Sequence, residues 1–250
     1  MVTIVNKVGT TNIRIQTPPP IVEIIGPAGA GKTTLSRALS LRSKEILICT
    51  PPSLRSMIYS FFFIKNGLLL APTFIRLYKN RNNDRFLTKQ EIVFMATLNG
   101  WHHLLRRRIA SDDKVIVIDQ GLVFMLSQLH MFGPKSLKNQ NAKNWLEGVY
   151  KQLAGTLNIV VYLDTSDTVL LRRIRNRDKW HIMKKKSKQE ILEFLANWRS
   201  AYDHVVSMLM TNLNSPRILR FDTARDSLDE IINRLVAELG FKDGECGVTQ

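Results

Sequence analysis

One stretch of eight residues, Gly26-Pro27-Ala28-Gly29-Ala30-Gly31-Lys32-Thr33, constrains this chain more than any other. It satisfies G-x-x-x-x-G-K-[ST], follows the apolar run IVEII and opens the segment KTTLSRAL. Glycines let successive backbone N–H groups curl around a phosphate, and a helix that starts there adds its positive dipole end. Gly26 to Thr33, with Thr34, are therefore expected to cradle a nucleotide. Lys32 should reach the β- and γ-phosphates. The Thr33 hydroxyl should face Mg²⁺, a hard cation that takes few protein ligands and bridges phosphate oxygens.

The rest of the chain alternates two kinds of segment. Apolar runs rich in Ile and Val at Ile21 to Ile25, Glu45 to Cys49, Val115 to Asp119, Asn158 to Leu163 and Arg217 to Phe221 read as buried parallel strands. Segments of helical period lie between or after them, at Lys32 to Leu41, Lys89 to Ala110, Asn144 to Leu153, Asp167 to Arg177, Lys188 to Met210 and Ser227 to Leu239. Strands alternating with helices imply βαβ crossovers and an α/β class. One domain over residues 21–240 is expected, after a leader ending in Pro18, Pro19 and Pro20 and before a disordered tail at 241–250.

A phosphate-binding loop needs a carboxylate near the metal, and the run Val115-Ile116-Val117-Ile118 ends in Asp119. That carboxylate would hold Mg²⁺ through water or take a proton from an attacking hydroxyl; both roles stay open.

The chain carries 36 Lys and Arg against 21 Asp and Glu, a net charge of +15. The excess is local. Ten Lys or Arg face two acids from Arg55 to Arg108, and nine face only Asp178 from Arg172 to Lys188. Binding of anionic phosphates by these two segments explains the charge better than a polynucleotide groove. No run reaches about 18 apolar residues and no secretory h-region is evident, so a cytoplasmic location is expected. Cys49 and Cys246 are too few and too separate for a disulfide framework, and no Cys/His cluster has zinc spacing.

Together, GPAGAGKTT, FMATLNGWHHLLRRRI followed by VIVIDQG, VVYLDTSDTVLLRRIRNRDK and ILRFDTARDSLDEIINRL resemble the thymidylate kinase-like and deoxynucleoside kinase branch of P-loop kinases, over about Ile21 to Leu239. The resemblance implies a P-loop NTPase three-layer αβα sandwich, with a five-stranded parallel sheet in the order 2-3-1-4-5 and a basic lid after the fourth strand. It implies phosphoryl transfer from Mg²⁺-bound ATP or GTP. Lid residues Arg173, Arg175 and Arg177, with Arg172 beside them, would meet the donor phosphates, and Arg173 and Arg177 would share a helix face. Lys179, His181 and Lys184 continue the lid. Asp222, Thr223 and Ala224 resemble the loop that meets the donor base.

Two positions depart from that pattern. Gln120 stands where such kinases carry an arginine for the acceptor's phosphate, and Asn99 lies near the place of a second one. Arg55, Arg76, Arg81, Arg85 and Arg106 to Arg108 are the cations on the acceptor side that could compensate. The acceptor is therefore left as a nucleotide, a nucleoside or another small hydroxyl compound. Two other readings remain: a P-loop ATPase or nucleotide sensor with no small acceptor, and a polynucleotide kinase. The apolar stretch Ile58 to Leu70 is read as buried helix packing, with an apolar or lipid-linked acceptor pocket and a membrane contact left open; a homodimer is also left open.

Overall fold

Runs of β-branched residues favour extended backbone, and in this chain they pair into one sheet. The computed structural model describes residues 18–54, 56–79, 84–138, 140–178 and 181–240. Residues 1–17 of the expected leader, the tail 241–250 with Cys246, and Arg55, Arg81 and Lys179 lie outside the described residues. In chain order the elements are β1 (Ile21–Ile25), α1 (Lys32–Arg42), β2 (Ile46–Cys49), α2 (Ser60–Leu69), α3 (Ala71–Lys79), α4 (Lys89–Asp112), β3 (Val115–Asp119), α5 (Leu122–Phe132), α6 (Gln140–Ala154), β4 (Ile159–Asp164), α7 (Asp167–Arg175), α8 (Lys188–Met210), β5 (Arg217–Asp222) and α9 (Leu228–Glu238).

All pairings are parallel and the strand order is β2-β3-β1-β4-β5, as the resemblance implied. The period of two along β1 sorts the core into two layers. Ile21 and Ile25 pack among residues of α4, α5, α6 and α8, while Val22 and Ile24 pack against α1, α7 and α9. The same parity sends Glu23 toward α5. The register sets Asp119 beside Ile24, so that carboxylate emerges next to the start of the glycine-rich loop.

Capping boxes fix three helix starts: Thr88 with Glu91 for α4, Ser187 with Glu190 for α8, and Ser227 with Glu230 for α9.

The structure differs from the sequence reading in three elements. The helix expected over Asp167 to Arg177 stops at Arg175 with Asn176 as its cap, so Arg173 and Arg177 do not share a helix face. Helix α5 is a further element; LVFMLSQLHMF is apolar nearly throughout and so carries no amphipathic period. The stretch from Ile58 to Leu70 is helical but not a buried packing unit. Phe63, Asn66 and Leu70 turn inward, whereas Met57, Ile58, Phe61, Ile64, Leu68 and Leu69 face outward. Asn66 sits in a notch that Gly100 leaves in α4, where any Cβ would come within 2.4 Å of its side chain, and Asn99 donates to it at 3.1 Å.

Candidate functional site

The loop between β1 and α1 lies at the carboxyl end of the sheet. Gly26 has a φ of 143°, and a Cβ there would stand 2.0 Å from the Leu163 carbonyl of β4, so both conformation and contact demand glycine. Helix α1 has Gly31 as its N-cap, with no side-chain cap and no acid in its first turn. Its first N–H groups thus carry no competing carboxylate, which suits an incoming anion.

Lys32 lies over this loop. Its Nζ donates to the carbonyls of Gly26 at 2.8 Å and Pro27 at 2.9 Å. Burial lowers its pKa to about 8; the charge of Arg177 acts in the same sense and that of Asp119 opposes it. The Thr33 hydroxyl donates to Oδ2 of Asp119 at 2.9 Å, joining α1 to the end of β3. Oδ1 of Asp119 is buried without a protein partner. Two adjacent hard oxygens, one of them unsatisfied, form a donor set suited to a cation that takes its remaining ligands from phosphate and water. No group of three or more His, Cys, Asp or Glu capable of holding a metal occurs among the described residues.

A carboxylate that the motif reading passed over lies beneath this pair. Glu23 is fully buried, and its two oxygens accept from the backbone N–H groups of Gly121 and Val123 at 3.0 Å and Phe124 at 3.1 Å. Burial lifts its pKa to about 7, while those N–H bonds hold it down. Glu23 thus caps α5 from another strand and fixes the turn that follows Asp119. Within that turn Gln120 adopts a φ of 60°, rare for a side-chain-bearing residue. A Cβ on Gly121 would meet Ile118 at 2.4 Å and the Glu23 carboxylate at 3.1 Å. The available signal was one acid inside an otherwise apolar strand run.

The basic lid divides by function of place. Arg173 is engaged: its guanidinium donates to the Gly29 carbonyl at 3.3 Å, the Thr223 hydroxyl at 2.7 Å and the Thr223 carbonyl at 2.9 Å, clamping the loop to the turn after β5. Arg177 is exposed in side chain and lines the same cavity as Lys32 and Thr33. His181 also lines it, its pKa lowered by burial and by the charges of Arg177 and Lys32. Arg175, two residues from Arg173 on α7, lies on the opposite side of that helix, is exposed and does not line the cavity. Lys184 instead donates to the Arg177 carbonyl at 2.7 Å. The Asp222 carboxylate accepts from the Ala224 N–H and lines a hollow with Tyr162 and Arg220. Thr223 and Asp226, with Gly29, Thr34 and Leu228, line a separate groove of about 350 Å³ beside the loop.

The main cavity has a volume of about 740 Å³. One end holds Lys32, Thr33 and Arg177. The other end is walled by Phe124, Phe132 and Trp198, with the amides of Gln120 and Gln128 among them. Phe124 and Trp198 stack at 5.3 Å with planes 4° apart. Asn99 does not reach this wall, being held by Asn66. Among the described residues none of the compensating arginines lines the cavity: Arg85 pairs with Glu91 and donates to the Phe132 carbonyl, Arg106 donates to the Gly155 carbonyl and Arg108 pairs with Asp112. The aromatic wall follows no motif: Phe124 and Phe132 come from α5 and Trp198 from α8, and only the fold brings them together.

A family model described as an AAA domain matches residues 22–193. No curated protein matches the sequence. Among solved structures, a thymidylate kinase from Candida albicans aligns over 89% of this chain and 92% of its own, with a TM-score of 0.52 at 15% identity. A deoxyadenosine kinase from M. mycoides with bound dATP aligns over 88% and 98%, with a TM-score of 0.47 at 17% identity. The likeness to the thymidylate kinase is one of fold.

Proposed function

The chain belongs to the AAA domain family, and from that premise we propose that it transfers the terminal phosphoryl group of a nucleoside triphosphate to an uncharged, ring-bearing hydroxyl acceptor of nucleoside type. The observation that carries the reading is the polarity of the cavity. Its cations gather around Lys32 and Arg177, and its far end offers stacked aromatic rings and two carboxamides. A monophosphate acceptor would lack the charge-assisted contacts, each worth about 1.5–3 kcal/mol, that its own phosphate requires.

The loop amides and Lys32 bind the donor's polyphosphate, and the groove beside Thr223 and Asp226 takes its base and sugar. ATP is the donor we favour, with GTP the variant to test against it. Thr33 and Asp119 would hold Mg²⁺, which when bound neutralises charge on the phosphate oxygens. Lys32 leaves the loop carbonyls for the phosphates, and Arg177 meets the charge that gathers on the transferred group. Arg173 positions the loop. Gln120 and Gln128 orient the acceptor, and the aromatic wall keeps water from competing for the phosphoryl group.

The test is nucleoside-diphosphate release from ATP or GTP in the presence of nucleosides, sugars and nucleoside monophosphates. Nucleosides should stimulate release most. Hydrolysis that no acceptor stimulates would leave an ATPase or sensor, and preference for monophosphates would refute the acceptor assignment.

A further inference from the structure

Helix α2 is apolar on both its inner and its outer side. Its inner side, Phe63, Asn66 and Leu70, packs on α4, with Asn66 keyed into the Gly100 notch. Its outer side should be polar, yet it carries Met57 in the preceding turn, Phe61, Ile64 and Leu68, exposed by 90%, 76%, 61% and 70%. Helix α3 continues the face with Ile75 and Tyr78, both more than half exposed, and Tyr78 stacks on Phe86 at 6.0 Å. Scattered surface hydrophobics need no explanation, but a contiguous set of this extent does.

The charge carried by α2, α3 and the turn before them has one sign. From Leu54 to Lys79 the sequence contains Arg55, Lys65, Arg76 and Lys79 and no Asp or Glu. Lys65 and Lys79 are exposed beside the apolar residues. We propose that α2 and α3 form a docking surface for an anionic lipid bilayer. The apolar side chains enter the headgroup boundary, the lysines reach lipid phosphates, and Tyr78 and Phe86 lie at the interfacial level. Charge complementarity selects this occupant: a two-fold pairing of the face with a second copy would gather lysines of one sign without a compensating acid. The attachment is peripheral. No single helix among the described residues is long and apolar enough to cross a membrane, and the segments Met57–Leu69 and Ala71–Lys79 are bent by 51° at their junction.

Co-sedimentation of the full chain tests this, using vesicles of phosphatidylcholine alone and with about one-third phosphatidylglycerol. The protein should sediment with the anionic vesicles, less with neutral ones, and less as salt rises. Phe61→Ser with Leu68→Ser should weaken vesicle binding by about a hundredfold. Lys65→Glu with Lys79→Glu should weaken it by about tenfold. Both pairs, being exposed and remote from the cavity, should keep the wild-type melting temperature and its shift with nucleotide. Failure of the wild-type protein to bind anionic vesicles overturns the proposal. So does light scattering that shows a dimer which the Phe61 and Leu68 substitutions dissociate, because the face then seats a second copy.

Discussion

Thr33 and Asp119 are joined by a 2.9 Å hydrogen bond between the first turn of α1 and the end of β3, and the second oxygen of Asp119 has no protein partner. The bond sets the relative position of two segments far apart in sequence before any ligand arrives. Preorganisation of this kind is what phosphoryl transfer asks of a protein, since the chemistry is mostly positioning and electrostatics. The expected behaviour of neighbouring groups follows from it.

Lys32 should make nucleotide binding depend on pH. Burial holds its free-state pKa near 8, and a bound polyphosphate would raise it. Between those two values the bound state carries more protons, so binding takes up a proton and affinity falls as pH rises past about 8. Calorimetry at pH 8.5 in buffers of different ionisation enthalpy should report the uptake. In Lys32→Met it should vanish, with transfer reduced about a hundredfold or more.

Glu23→Gln should destabilise the protein by about 1–3 kcal/mol. Both oxygens of Glu23 accept backbone N–H groups, and an amide NH₂ would set a donor against one of them. Urea unfolding measures the loss. Because those N–H groups belong to the turn after Asp119, turnover should fall as well; full turnover in the variant would contradict the role given to that turn.

The two lid arginines should separate by readout. Arg173→Ala leaves the Thr223 hydroxyl and carbonyl without their donors, so melting temperature and turnover should both drop. Arg177→Ala removes an exposed side chain at the cavity, so turnover should fall tenfold or more, by about 1.4 kcal/mol or above, with little change in melting temperature.

Gln120→Arg should change the acceptor. A cation at this position lies in the cavity that holds Lys32, where it can meet an acceptor's phosphate. One such contact is worth about 1.5–3 kcal/mol, so kcat/KM for nucleoside monophosphates should rise by about tenfold to a hundredfold. Competition assays between a nucleoside and its monophosphate would show it, and an unchanged ratio would remove Gln120 from the acceptor end.

The parts of this structure that follow local rules were legible in the sequence. The glycines of the loop, Lys32, Thr33 and the acid at the end of VIVID announce themselves by spacing, and strand runs rich in Ile and Val need no partner to be recognised. What stayed hidden depends on contacts between distant segments. Helix α5 has no amphipathic stripe and no cap of its own, because its N-terminal amides bond to Glu23, 98 residues from Gly121. The C-terminus of α7 falls at Arg175 with no glycine or proline to mark it, which removed Arg177 from the face assigned to it. Composition marked α2 as apolar but could not say that half of that apolar surface turns away from the core.

Glu23 gives β1 a second task. The strand's carboxyl end runs directly into the glycine-rich loop at Gly26, and its midpoint grips the turn that carries Gln120. Three residues of extended chain, about 10 Å, separate the two holds. The glycine-rich loop and the turn after Asp119 are therefore both referred to one short run of extended chain, so a shift of β1 would move the two together.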